Sequence, residues 1–153
     1  MRAGVRLGVD VGTVRIGVAV SDPHGLLAVP VCTLARGAGD ITRVLSEAID
    51  RSAIEIVVGL PLALSGGDSR STGDARDFAR RVAEAGEIPV RMVDERLSTV
   101  SATRALQESG RNSRKSRPVI DQVAAVIILQ HALDAERTGG RLPGAVVDPH
   151  EGR

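Results

Sequence analysis

The chain has no tryptophan, no tyrosine and a single phenylalanine, Phe78. Its core must therefore be built from Val, Ile, Leu and Ala, and a surface that grips bases by aromatic stacking is excluded. One cysteine, Cys32, rules out an internal disulfide framework and a thiolate metal cluster. Flanked by Val31 and Thr33, it reads as a buried core thiol. No run of about 18 apolar residues occurs, and residues 1–6 lack a signal-like apolar segment. A soluble protein of the reducing cytoplasm is expected. Neither sign of charge prevails, since 20 Lys and Arg stand against 19 Asp and Glu. Any preference for a charged partner must come from local clusters. His24, His131 and His150 do not make a zinc pattern. A GxxxxGK loop and an adjacent Ser, His and acid are also absent.

What is present is a chain of 153 residues, the length of one domain. Residues 5–11 and 16–21 predict two strands, joined by Gly12, Thr13, Val14 and Arg15 as a hairpin. Gly8 and Gly17 weaken these strands but permit close backbone approach. A third apolar run, 26–34, contains Pro30, so this strand lies at an edge, is bulged or breaks. Asp40 is a candidate cap for a helix with Ile41, Val44, Leu45, Ala48 and Ile49 at helical spacing. Residues 54–59 ("IEIVVG") read as a buried strand following a helix, hence parallel to its neighbour.

Residues 60–73 form a Gly-, Ser- and Asp-rich loop. Ser71 and Asp74 resemble a capping box for a helix that buries Ala75, Phe78, Ala79, Val82 and Ala83. Residues 89–93 predict a strand ending at Asp94 and Glu95. Ser98 opens a helix to about residue 109, with Ala102, Ala105 and Leu106 inward. The last helix covers about 118–136, with Pro118 at its first helical position. Its apolar residues nearly encircle it, so packing on more than one side is expected. The order predicts an α/β fold: a mixed five-stranded sheet with helices on both faces, within a domain of residues 1–137. Residues 138–153 are expected to form a frayed tail.

Three carboxylates stand at element ends, where a largely parallel sheet keeps its ligand crevice. Asp10 closes the first strand, Glu95 follows the last and Asp121 lies in the first turn of the final helix. If they converge, their like charges require a cation, and oxygen-only ligands select Mg²⁺ or Mn²⁺. Two such ions would activate water and steady the leaving oxygen of a phosphodiester. Each residue also has a plainer reading: Asp10 as an Asx-turn residue, Glu95 as a solvated loop charge, Asp121 as a complement to the helix dipole. Against the last, Ala125, Ile128 and Ala132 share the Asp121 face, so its carboxylate points toward packed structure and needs a partner. Asp94 competes with Glu95, but adjacent strand residues point to opposite faces. Asp22 and Asp68 sit among turn residues and are poorer candidates.

Thr13 and Arg15 are near enough to Asp10 to bracket a phosphate, Arg15 by charged hydrogen bonds. The run "GRNSRKSR" carries Arg111, Arg114, Lys115 and Arg117 with no acid and no apolar side chain. Such a run is either a solvated loop or a device that neutralises phosphates without reading bases. It ends just before Asp121. Gly66 and Gly67 allow the 60–73 loop to act as a lid.

"RLGVDVGTVRIGVAVSD", "VVGLPLALSGG", "VDERLST" and "GRNSRKSRPVIDQVAAVIIL" resemble, in order, the characteristic segments of the YqgF or RuvX family. The resemblance extends from about residue 6 to 133. It implies an RNase H-like fold related to the RuvC resolvase and a divalent-metal nuclease centre. Asp10, Glu95 and Asp121 fall on the family's three acidic positions, and Arg114 and Lys115 on its basic stretch, which is usually richer in lysine. The implied role is processing of the 5′ end of precursor 16S ribosomal RNA, or cleavage of branched DNA as a Holliday junction resolvase. A homodimer would present two sites to a junction.

Two further readings stand beside it. "DVGT" also resembles the first phosphate motif of actin-like and sugar-kinase ATPases, which normally close two domains over a nucleotide. The chain could instead be a non-catalytic module for nucleic acid or ribosome assembly, with salt-dependent RNA binding and no cleavage.

Overall fold

The structure, a computed structural model, describes residues 1–63, 65–97 and 117–149. Among them, strands β1 (Arg6–Val11), β2 (Arg15–Ser21), β3 (Ala28–Ala35), β4 (Glu55–Leu60), β5 (Val90–Asp94) and β6 (Ala145–Val146) form one sheet. The helices are α1 (Asp40–Asp50), α2 (Arg70–Ala85) and α3 (Arg117–Gly139), and Glu95–Leu97 form a 3₁₀ turn. The helix expected over 98–109 and most of the basic run, residues 110–116, lie outside the described residues.

The sheet order is β3-β2-β1-β4-β5-β6. β1 to β3 form an antiparallel meander, and β1, β4 and β5 are mutually parallel. Pro30 sits on an edge strand, where its missing N–H costs no ladder bond. The β2–β3 register also shifts there, between Val18 opposite Cys32 and Ala19 opposite Pro30, so the strand is both at the edge and bulged. Cys32 is half-buried rather than fully enclosed.

The five-stranded expectation is corrected to six. Within the stretch expected to fray, Ala145 and Val146 pair antiparallel with Met92 and Arg91. Val147 donates to the Val90 carbonyl at 2.8 Å and packs on the core. Two residues are too few to show any periodicity. The cap of α2 is also corrected: it is built by Ser69 and Thr72, not Ser71 and Asp74. Thr72 Oγ1 accepts from the Ser69 N–H at 2.9 Å, and Ser69 Oγ accepts from the Thr72 N–H at 3.3 Å. A threonine hydroxyl replaces the usual long acid in that role. The cap expected at Asp40 is corrected too: the N-cap of α1 is Gly39, without a side-chain cap bond, and Asp40 is the first helical residue, its carboxylate accepting from the Gly37 and Ile41 N–H groups.

Strand alternation splits the core into two layers. Leu7, Val9, Ile16, Val18, Ile56 and Val58 face α1 and α2, meeting Val44, Ala48, Ala75, Phe78, Ala79 and Val82. On the other face α3 lays Ala124, Ala125, Ile128, Leu129, Ala132 and Leu133 against Ala19, Ala28, Val57 and Val93. Each such Val, Leu or Ile contributes about 1.5–3 kcal/mol by leaving water. Val126 and Ile127, off the buried stripe of α3, are partly buried as well. At the end where β1 begins, buried Glu136 of α3 accepts from Arg2 at 2.6 Å and Arg6 at 3.0 Å. Glu55 beside it accepts from Arg2 and Arg91. This charged knot clamps the amino terminus to α3 and the sheet.

Candidate functional site

The site is shaped by the places where the sheet has no side chain. Asp10 of β1 pairs with Gly17 of β2, and Val9 pairs with Val58, which puts Gly59 of β4 level with Asp10 on its other side. Register partners project to the same face. A Cβ on Gly17 would lie 2.0 Å from the backbone oxygen of Asp121, and one on Gly59 would lie 2.6 Å from Cδ1 of Ile128 and 3.2 Å from Cγ of Glu95. The first turns of α3 thus rest directly on β2, and Glu95 reaches over β4 toward the centre of the sheet. Gly8 admits Leu129 in the same way.

One cavity of about 310 Å³ results, lined by Asp10, Thr13, Arg15, Pro61, Ser71, Asp74, Glu95 and Asp121 among others. It opens at the carboxyl ends of β1, β4 and β5, the ligand side of a parallel sheet. The three sequence-chosen carboxylates are therefore brought together, and Thr13 and Arg15 join them. Asp10 and Glu95 are 3% and 5% exposed, so neither is a turn residue or a solvated loop charge. Arg117 opens α3, but its side chain, like Arg111, Arg114 and Lys115, lies outside the described residues.

The competing acids are committed elsewhere. Asp94 forms an ion pair with Arg96 at 2.6 Å, which holds its carboxyl below the usual range. Asp22 accepts from the N–H groups of His24, Leu26 and Leu27 as a turn residue, and exposed Asp68 pairs with Arg76. Asp121 has its required partner: Arg15 Nε donates to Oδ2 at 2.9 Å. A fourth carboxylate, Asp74, lines the cavity, and sequence reasoning passed over it as part of a cap. Both of its oxygens accept from Arg36, at 2.7 and 3.0 Å, and these bonds hold its carboxyl below the usual range. Arg36 also donates to the Gly12 carbonyl at 2.8 Å and pairs with Asp40 at 3.3 Å. Its guanidinium carbon stands 5.3 Å from the Phe78 ring centre. Arg36 therefore ties the turn after Asp10 to both α1 and α2. No sequence signal marked it, because its partners come from three separate segments.

The donor set suits a hard divalent cation: oxygen ligands only, two of them shielded from water and set against a low-dielectric floor. Among the described residues no three His, Cys, Asp or Glu side chains are close enough to share one ion.

Comparison with known proteins bears on the family and the fold. A family model described as "RuvX: Holliday junction resolvase" matches residues 4–135. A protein of Clavibacter michiganensis subsp. michiganensis named "Putative pre-16S rRNA nuclease" is 64% identical over 150 residues, covering 96% of this chain and 93% of its own length. A relative of the same name from Leifsonia xyli subsp. xyli is 58% identical and covers 99% of both chains. Among solved structures, Thermus thermophilus RuvC in complex with a Holliday junction substrate aligns with TM-score 0.56 at 17% identity, covering 91% of this chain and 99% of that one. A second Thermus thermophilus RuvC structure aligns with TM-score 0.54 at 19% identity, covering 88% of this chain and 96% of that one. At such identity the likeness shows the fold, which is RNase H-like.

Proposed function

The chain belongs to the RuvX family, and from that premise we propose that it is a divalent-metal-dependent endonuclease acting on structured nucleic acid. The observation that carries this reading is the meeting of Asp10, Glu95 and Asp121 in one cavity at the carboxyl ends of the parallel strands. Asp10, Glu95 and Asp121 would hold the ion. Mg²⁺ or Mn²⁺ bound there would lower the pKa of water and offset charge on the phosphodiester. Buried Asp10 sits near the end of β1 and buried Glu95 opens the 3₁₀ turn directly after β5, which keeps the donors oriented. Thr13, exposed at the tip of the β1–β2 turn, and Arg15 position the substrate backbone. Arg111, Arg114, Lys115 and Arg117 supply attraction for more distant phosphates. With no aromatic platform, recognition rests on backbone, charge and shape.

The substrate we favour is pre-16S ribosomal RNA, which stands in the names of relatives that match nearly end to end, and within it the 5′ end is our own choice. Such work belongs in the cytoplasm, and no helix of the described residues is long and apolar enough to cross a membrane. Branched DNA is the second reading, favoured by the family description. A homodimer would serve that reading by offering two sites. The test incubates labelled pre-16S RNA and an immobile four-way DNA junction with wild-type and D10N protein in Mg²⁺, Mn²⁺ or EDTA, and maps the cuts. Mature-end RNA cuts lost in D10N support the first reading, and paired symmetric junction cuts support the second. Binding without any metal-dependent cut overturns both in favour of a non-catalytic module.

A further inference from the structure

We infer that Arg15 is an exchangeable cation for the site: its guanidinium holds Asp121 until a divalent ion takes that carboxylate, and then transfers to a substrate phosphate. The inference rests on the metal-dependent reading above, and it concerns how that site is loaded.

Arg15, which lines the cavity, and Arg36, which holds the cavity residue Asp74, are held very differently. Arg36 grips both oxygens of Asp74, caps the Gly12 carbonyl, pairs with Asp40 and lies over Phe78, with its side chain 19% exposed. Arg15 holds Asp121 through Nε alone, at 2.9 Å, and its side chain is 30% exposed. The first arrangement is a fixed brace, and the second is a single bond on a long side chain at the solvent edge. Asp121 is itself only partly covered and lines the same cavity as Asp10 and Glu95. Arg15 can therefore release this carboxylate without disturbing the core, which Arg36 cannot do.

Electrostatics gives the exchange its direction. Carboxylates that line one cavity repel, and a guanidinium on Asp121 offsets part of that repulsion when no metal is bound. A divalent cation on the same oxygens repels the guanidinium beside it. Both cations cannot be served at once. Once displaced, Arg15 still projects into the cavity, where a phosphate is the natural partner for its planar fork of donors. Metal loading and phosphate binding are then coupled through one side chain, and the coupling acts equally in both directions. An arginine that served only as a phosphate contact would not compete with the metal.

The test titrates Mn²⁺ by calorimetry into wild-type, R15Q, R15M and D121N protein without substrate, with circular dichroism to verify folding. R15Q and R15M are expected to bind Mn²⁺ about fivefold more tightly than wild type, the size of one partly exposed ion pair removed from competition. In wild type, Mn²⁺ should strengthen binding of a phosphorothioate-protected RNA oligonucleotide, and this enhancement should shrink in both Arg15 variants. Unchanged or weaker Mn²⁺ affinity in a folded Arg15 variant overturns the exchange while leaving the metal site standing. A wild type that binds no Mn²⁺, or a D121N protein that binds it as wild type does, overturns the metal reading itself and the exchange with it.

Discussion

The backbone oxygen of Asp121 occupies the space that a Cβ on Gly17 would need, 2.0 Å from that position. Asp10 is the register partner of Gly17 on the neighbouring strand, so this contact sets how near α3 brings Asp121 to Asp10. Gly17→Ala must push α3 off β2 or bend β2. We expect a loss of about 1–3 kcal/mol in stability, as for other overpacked cores. Cleavage should fall further than substrate affinity, because the carboxylates separate while the outer basic residues stay. Urea unfolding with single-turnover kinetics checks both parts. An alanine variant with wild-type stability and rate would mean that α3 does not rest on Gly17.

Asp10→Asn removes a charge from the centre of the site at nearly constant volume. Cleavage should fall by roughly a hundredfold or more, as when a single electrostatic group is lost from a reacting centre. Nucleic-acid affinity should stay close to wild type, since phosphate contacts lie on other residues. Gel-shift titration beside cleavage kinetics separates the two effects. Full cleavage by pure D10N protein would remove Asp10 from the proposed site.

Arg36→Ala should cost about 2–3 kcal/mol, the scale of a hydrogen-bonded charged group lost from a partly buried network. It frees Asp74 in the cavity and releases the turn that follows Asp10. Asp74 has a depressed pKa in the folded state, so its contribution is present above the ordinary carboxylate pKa and fades as pH falls below it. The R36A protein should therefore lose less stability than wild type on mild acidification, measured by thermal melts across pH. Parallel curves for the two proteins would contradict this account.

At the opposite pole, burial opposes ionisation of Glu136, but the bonds from Arg2 prevail and lower its pKa from 4.5 to about 2. Its stabilisation is complete above pH 4.5 and is lost as pH falls toward about 2. Glu136→Gln takes the carboxylate partner from buried Arg6 and leaves Arg2 with Glu55, and should cost about 3 kcal/mol at neutral pH. It should also flatten the acid limb of the stability curve. Denaturant melts of both proteins from neutral to acid pH measure this, and an equally steep acid limb in E136Q would assign the acid sensitivity to other groups.

Lys115→Ala and Arg114→Ala should each weaken nucleic-acid binding evenly across sequences. Each should reduce the slope of log K against log salt by about 1, the signature of one phosphate contact. Filter binding between low and moderate salt gives the slopes. Unchanged slopes would make the basic run a solvated loop.

Much of this molecule was legible before folding, because local pattern carries local structure. Apolar runs marked β1, β2, β4 and β5, Pro30 marked an edge, a bulge or a break, the 3.6-residue spacing marked α1 and α2, and the long apolar segment after Pro118 marked α3. The positions of Asp10, Glu95 and Asp121 at element ends singled out the three acids. Short or unusual signals escaped: a two-residue β6, and a cap in which Thr72 rather than a long acid returns to the N-cap backbone.

What sequence alone determined was which segments become strands and helices, since backbone preference and hydrophobic period act within a few residues. The tertiary structure alone decided who meets whom. Asp121 lies 106 residues from Arg15, and Arg36 lies 38 from Asp74. Those pairs form only because α3 can settle on a sheet left bare at Gly8, Gly17 and Gly59, and because α2 is held against the turn after Asp10. A glycine in a strand shows that something comes close, but the identity of the visitor depends on the packing of the whole chain.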